Sequence, residues 1–200
     1  MKKRLKNILI FLLIVMYSCN GGGIEGKIYK EVERSFNEMM KLQAEKIREY
    51  NISKEELKEA KSTIYQINLL IWKDNVQKFI KMLDNIVYYN ILEEDEEKYT
   101  KERLISEEYF AFFKRLFFSG DLLRREGLKG PYSNNYRYQL REVLRGNKLY
   151  KMKIEIKRDK EEGRYIIFCY TCRLGKYSEC TGFGIGKRGG EWKIVALYMD

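Results

Sequence analysis

Between Tyr29 and Tyr50 apolar side chains return every three or four residues: Tyr29, Val32, Phe36, Met39, Ile47 and Tyr50, with Gln43 filling one place in the stripe. That spacing predicts an amphipathic helix over residues 27–50, packed on its own domain because the stripe is too short for a coiled coil. Ser53-Lys54-Glu55-Glu56 is a capping box, in which the hydroxyl and the Glu56 carboxylate each satisfy an orphan backbone N–H. It opens a second helix that runs to Trp72, with Leu57, Ala60, Ile64, Ile67 and Ile71 at helical spacing. Asp74 is placed to cap a third, short helix carrying Val76, Phe79, Ile80 and Leu83. Ile86-Val87-Tyr88-Tyr89 is a β-prone run, and Glu93 to Glu97 reads as an acidic surface loop. Ser106-Glu107-Glu108 opens another helix, whose Tyr109, Phe110, Phe112, Phe113, Leu116 and Phe117 form the densest aromatic cluster and read as core.

After Gly130-Pro131 the period changes from 3.6 to 2. Antiparallel strands are expected over 136–144, 149–157, 164–173, 178–186 and 191–199, separated by turns at Gly146-Asn147, Lys160–Gly163 and Gly186–Gly190. In 149–157, Met152, Ile154 and Ile156 share one face while Lys151, Lys153, Glu155 and Lys157 share the other. The third and fifth of these strands are apolar on both faces, so each needs cover on both sides, from helices or a second subunit. Helices first and sheet last gives an α+β layout, with N-terminal helices packed on a bent C-terminal antiparallel sheet.

The first nineteen residues alter this picture. Lys2, Lys3, Arg4 and Lys6 precede an apolar stretch from Ile8 to Met16, and Ser18-Cys19 follow. A basic cluster, an apolar core of about ten residues and a small residue before the cut read as a secretory signal peptide over 1–18, too short to span a bilayer. Asn20-Gly21-Gly22-Gly23 then serves as a flexible tether, giving a tether segment 19–26, a helix over 27–54 and a domain over 55–200. Losing the four leader cations lowers the formal charge from +10 to +6. The remaining bases are interleaved with acids along helices, which argues against nucleic acid and leaves a solvated Lys-rich surface or an acidic partner. Histidine is absent altogether, which removes Ser-His-Asp triads, Cys-His pairs and His-ligated metals.

Two resemblances follow. Met16-Tyr17-Ser18-Cys19 resembles the lipobox of bacterial lipoproteins in its relaxed, spirochaete-like form, since Met stands where the strict pattern prefers Leu. It implies that Cys19 carries a diacylglycerol and becomes an acylated N-terminus, so that the bilayer is a partner and the protein faces the periplasm or the cell exterior. The order of elements from 55 to 199 resembles the NTF2-like (cystatin-like cone) superfamily. Asp74 to Leu83 occupies the place of its second helix, Ile86–Tyr89 that of its first strand, and Gly189-Gly190-Glu191-Trp192-Lys193-Ile194-Val195-Ala196-Leu197 that of its last strand. That resemblance implies a conical pocket, here lined by Tyr88, Phe113, Tyr138, Tyr170 and Trp192, and a sheet whose other face makes homodimers. The superfamily's isomerases would imply a tyrosine donor with an aspartate base, but no aspartate here matches that base, and the dehydratase's histidines are missing.

Cys169 and Cys172 have Cys-x-x-Cys spacing, but residues three apart on a strand point to opposite faces and suit neither one metal nor one disulfide. Folding at Gly175-Lys176-Tyr177 sets Cys172 opposite Cys180; an exported protein would bridge them and leave Cys169 as a buried thiol, the alternative being three free thiols. Gly182 to Gly190 superficially resembles a phosphate-binding loop, yet a strand follows it and not a helix, so a bent strand and hairpin is the better reading. The expectation is a lipid-anchored envelope module that binds an unknown protein, glycan or small apolar ligand. No catalytic residue, metal or cofactor is assigned. The alternatives are a surface lipoprotein that meets host protein or acidic glycan, and a histidine-free isomerase or lyase.

Overall fold

The computed structural model describes residues 23–90, 96–159, 164–175 and 178–199, so the leader and Cys19 lie outside the described residues. The chain is α+β. Helix α1 (Ile24–Leu42) begins three residues before the expected start, with Gly23 as its N-cap, and a short α2 (Ala44–Glu49) follows. The expected single helix breaks at Gln43, whose carboxamide oxygen accepts the backbone N–H of Ile156 on a strand, at 2.6 Å. Helix α3 (Lys54–Trp72) starts at the Ser53 capping box, with both reciprocal bonds formed.

Helix α4 (Val76–Met82) is capped by Asn75, which accepts the Lys78 N–H, and not by Asp74. Strands β1 (Leu83–Asn90) and β2 (Glu96–Thr100) come next, so Glu96 and Glu97 of the expected acidic loop belong to a strand, while residues 93–95 of it lie outside the described residues. Short helix α5 (Lys101–Leu104), aromatic helix α6 (Glu107–Phe117) and short helix α7 (Gly120–Arg125) precede α8 (Tyr136–Leu144). Strands β3 (Tyr150–Arg158), β4 (Tyr165–Arg173), β5 (Glu179–Arg188) and β6 (Glu191–Met199) complete the chain.

Helix α8 corrects the expected strand over 136–144. Tyr-Arg-Tyr-Gln-Leu alternates like a strand, but Tyr136, Gln139 and Leu140 are the buried positions, a spacing of three and four that only a helix supplies. Asn135 decides the start: its side-chain oxygen accepts the Tyr138 N–H, while its amide nitrogen donates to the carbonyls of Arg115 (2.7 Å) and Phe118 (2.9 Å).

The sheet also departs from the all-antiparallel, all-C-terminal expectation. Its order is β2-β1-β6-β5-β4-β3, and β1 runs parallel to β6. Val195 is an extra residue between the pairs Gly184–Ala196 and Ile185–Ile194, a bulge that bends the sheet at its centre. One face carries Ile154, Cys169, Phe183 and Leu197 in a single cross-strand row and meets the helices. Phe79, Phe113, Phe117, Phe118, Tyr136 and Phe183 fill the space between the layers, with adjacent ring centroids 5.3–5.9 Å apart. Helix α1 contributes Ile28, Val32, Phe36 and Met39 to the same core, so segment 27–54 packs as part of it.

The opposite face explains how β4 tolerates two apolar faces. Glu155, Phe168, Gly184, Ala196 and Tyr88 form one row across it. The side chains of β4 lie flat over the glycines of β5: a Cβ at Gly184 would fall 2.7 Å from Ile166 Cγ2 and 2.9 Å from Phe168 Cε1. Ile166, Tyr170, Val195 and Ala196 are buried in this way by their own neighbours. Lys157 sits 5.3–5.6 Å from the ring centres of Phe168, Tyr170 and Tyr198. Glycine on the strand thus supplies the cover that the pattern alone assigned to a helix or a second subunit.

Candidate functional site

The turn from α3 to α4 places Asp74 in a left-handed backbone conformation (φ 53°), which Asp tolerates better than most residues. Its carboxylate collects three donors: the Ser119 N–H (2.9 Å), Arg137 Nη1 (2.6 Å) and the Ser119 hydroxyl. Ser119 is also the N-cap of α7, accepting the Leu122 N–H at 3.0 Å. One carboxylate therefore ties the α3–α4 turn to α7 and to α8. Asp74 and Arg137 keep only 14% and 23% of their side-chain surface exposed, enough burial for the pair to resist solvent screening.

Above this hub lies a surface cleft of about 360 Å³, walled by Trp72, Asp121, Arg124, Arg137, Tyr138 and Arg141. Positions 137 and 141 are one helical turn apart on α8, so both guanidiniums reach the same side. The Arg137 guanidinium lies 5.4 Å from the Trp72 ring centre, and that of Arg141 lies 4.9 Å from the Tyr138 ring centre. Arg137 spends one nitrogen on Asp74, and its Nη2 and Nε have no hydrogen-bond partner among the described residues. Asp121 pairs with Arg124, but both are more than three-quarters exposed, which makes the pair weak. Three arginines against one lining carboxylate, with flat rings beside them, can hold an oxyanion on an extended or ring-bearing ligand. A nucleophilic role for Ser119 fits poorly: the Asp74 carboxylate that would act as its base already accepts from Arg137 and from the Ser119 N–H, and the Leu122 N–H occupies a lone pair of the hydroxyl oxygen.

The five aromatic residues expected to line one pocket do not share a wall. Tyr138 borders the cleft. Phe113 is in the core, and Tyr88 and Tyr170 lie on the far face of the sheet. Trp192 donates from Nε1 to Glu59 at 3.1 Å. Arg137 and Arg141 of the cleft carry no motif beyond their i, i+4 spacing on a stretch expected to be a strand, and Asp74 beneath them stood out only as a helix cap and as the start of the segment matched to the second helix.

Cys172 and Cys180 form a disulfide across β4 and β5 on the far face. Cys169, on the core face, is a buried free thiol. Burial pushes it up to about 11, so it is a poor nucleophile at neutral pH. The Tyr136 hydroxyl lies 3.3 Å from its sulfur and 2.9 Å from Asn68 Oδ1. Burial, then the charge and hydrogen bond of Cys169, raise that phenol well above its usual range. These three groups satisfy one another inside the core, which is a structural arrangement.

Among the described residues no three Cys, Asp or Glu side chains converge to hold a metal ion, and no helix is long and apolar enough to cross a membrane. The chain matches no family model, no curated protein and no solved structure.

Proposed function

We propose that this protein is a non-catalytic binding module of the bacterial cell envelope, tethered to the bilayer through acylated Cys19 and carrying an NTF2-like domain. The observation that carries the binding role is the surface cleft at Arg124, Arg137 and Arg141, with Trp72 and Tyr138 beside it. Phenylalanines occupy the space between helices and sheet, where a cone-shaped pocket would lie, and the hydroxyl there, on Tyr136, is paired with Asn68 and Cys169. That arrangement favours binding at the surface over isomerase or lyase chemistry inside. The NTF2-like reading draws support from the strand order, with β1 and β2 joined to the four C-terminal strands through β6. The arginines favour an acidic ligand, and this supports the second reading, a surface-displayed lipoprotein that meets an acidic glycan.

Metabolic labelling of the full chain with a clickable palmitate tests the tether. Wild-type protein takes the label and loses residues 1–18, whereas Cys19→Ala does neither; an unlabelled wild type in a host that processes lipoproteins overturns the anchor. For the cleft, retention on a sulfated-glycan column is expected to fall in an Arg137→Ala/Arg141→Ala double variant with an unchanged circular-dichroism spectrum. Unchanged retention removes the cleft as the binding surface. Protease treatment of intact cells separates periplasmic from surface display, since digestion requires exposure.

A further inference from the structure

A second recess, independent of the arginine cleft, lies where β5 begins and β6 ends. It has a volume of about 320 Å³ and is bordered by Phe112 of α6, by Tyr132, Ser133 and Asn134 of the loop before α8, by Glu179 and by Met199. Phe112 and Tyr132 form a tilted pair with ring centres 5.4 Å apart. The lining holds one charged residue, the Glu179 carboxylate, and no basic side chain.

The Glu179 Oε2 atom is enclosed and has no hydrogen-bond partner among the described residues. Its cross-strand neighbour, Arg173, makes no ion pair with it. The adjacent Gln139, fully buried, spends its amide nitrogen on the Glu179 carbonyl at 3.2 Å, and its own Oε1 is a second enclosed acceptor without a partner among the described residues. The Asn134 carbonyl is already taken by the Thr181 hydroxyl. Two acceptors are thus left without donors beside an aromatic-walled opening; the other enclosed side-chain atoms without a partner among the described residues, Arg115 Nε and the hydroxyls of Tyr165 and Tyr170, do not line this recess. Among ligand head groups, an ammonium meets this deficit best: it brings several donors and no acceptor, it is opposite in charge to the carboxylate, and ring faces attract it.

We propose that this recess binds a small organic amine, with its ammonium on the Glu179 carboxylate and its apolar body against Phe112, Tyr132 and Met199. The test is saturation-transfer NMR on the full chain in detergent micelles, with phenethylammonium as probe and 2-phenylethanol as its neutral counterpart. Saturable amine binding is expected, with the alcohol weaker by at least about tenfold, the scale set by losing a charge-assisted hydrogen bond. Glu179→Gln should weaken the amine by a similar factor and leave the alcohol unchanged. Tyr132→Ala, at a 40% exposed position, should weaken both probes alike while the circular-dichroism spectrum stays unchanged. Equal affinity for amine and alcohol, undiminished amine binding in Glu179→Gln, or no saturable amine binding by wild type overturns the proposal. None of these outcomes depends on the arginine cleft or on Cys19.

Discussion

Asp74 shows how much one side chain can hold. With a left-handed backbone and three donors on its carboxylate, it anchors the α3–α4 turn, the start of α7 and the half-buried Arg137 of the cleft. Asp74→Ala loses hydrogen bonds to a charged acceptor, each worth about 1.5–3 kcal/mol, and adds the left-handed penalty that Ala carries. A loss of about 3 kcal/mol is expected in urea denaturation, and roughly half that for Asp74→Asn, which keeps an acceptor and tolerates the backbone. Equal losses for the two variants would show that the charge carries the whole effect, and no loss in Asp74→Asn would show that the charge is irrelevant. The glycines of β5 make a second residue-scale case. A Cβ at Gly182 would fall 2.5 Å from the Cys169 carbonyl, a backbone atom that cannot step aside. At Gly184 the nearest atoms belong to side chains of Ile166 and Phe168. Gly182→Ala should therefore cost more than Gly184→Ala, about 3 against 1–2 kcal/mol on the scale of overpacked cores.

At the scale of elements, the exposed edge of β3 is managed by the N-terminal helices. Ser35 donates to the Met152 carbonyl (3.2 Å), Gln43 accepts the Ile156 N–H, and Lys46 donates to the Ile156 carbonyl (2.9 Å). Strand β3 pairs with β4 on one side only, and an open edge invites pairing with another chain. A Gln43→Ala/Lys46→Ala variant should lose about 1–2 kcal/mol and form concentration-dependent oligomers in light scattering. A monodisperse variant would show that burial by α1 alone protects the edge. The capping box at Ser53 and the stripe Leu57–Ile71 were readable because both signals are local. Helix α8 was not: its alternating Tyr-Arg-Tyr-Gln-Leu suits both periods, and the choice rests on Asn135 bonding to the carbonyls of Arg115 and Phe118, some twenty residues earlier. The parallel pairing of β1 with β6 is equally non-local, linking segments about a hundred residues apart.

For the whole molecule, the disulfide and the titrating groups set the conditions of stability. The bridge spans a sequence separation of 8, for which chain-entropy arguments give about 2–3 kcal/mol. Cys172→Ala/Cys180→Ala should lower stability by that amount and leave the fold intact, since the β4–β5 ladder and the Tyr170–Gly182 packing persist. Complete unfolding at room temperature would mean that the bridge does more than shorten the unfolded chain. Glu38, hydrogen-bonded to Lys151, and Glu142, hydrogen-bonded to Asn147, both titrate below the usual carboxylate range. In Glu155 the rise that burial would bring is outweighed by Lys153 and Lys157. Groups depressed in the folded state contribute stability at neutral pH that is lost as acid protonates them. At the other end, burial raises Cys169 from 9.0 to about 11 and Tyr165 from 10.0 to about 12. The unfolded chain then releases protons first, so the folded state binds more protons and stability falls as pH climbs above 9. The urea midpoint should decline on both sides of neutrality, and Cys169→Ala should flatten the alkaline limb between pH 9 and 11. An unaltered limb would assign it to the tyrosines.

By itself the sequence determined the class of the fold, the α1, α3, α4 and α6 helices, the place of five of the six strands (β1 and β3 to β6) and the absence of histidine chemistry, because periodicity, caps and composition are written locally. It set Cys172 opposite Cys180 through a short hairpin for the same reason. Tertiary structure alone decided that β1 joins the sheet in parallel, that glycines cover the far face, and that Asp74 gathers Ser119 and Arg137 into one site. Those outcomes depend on contacts between distant segments, and no spacing along the chain encodes which distant donor will meet a given carboxylate.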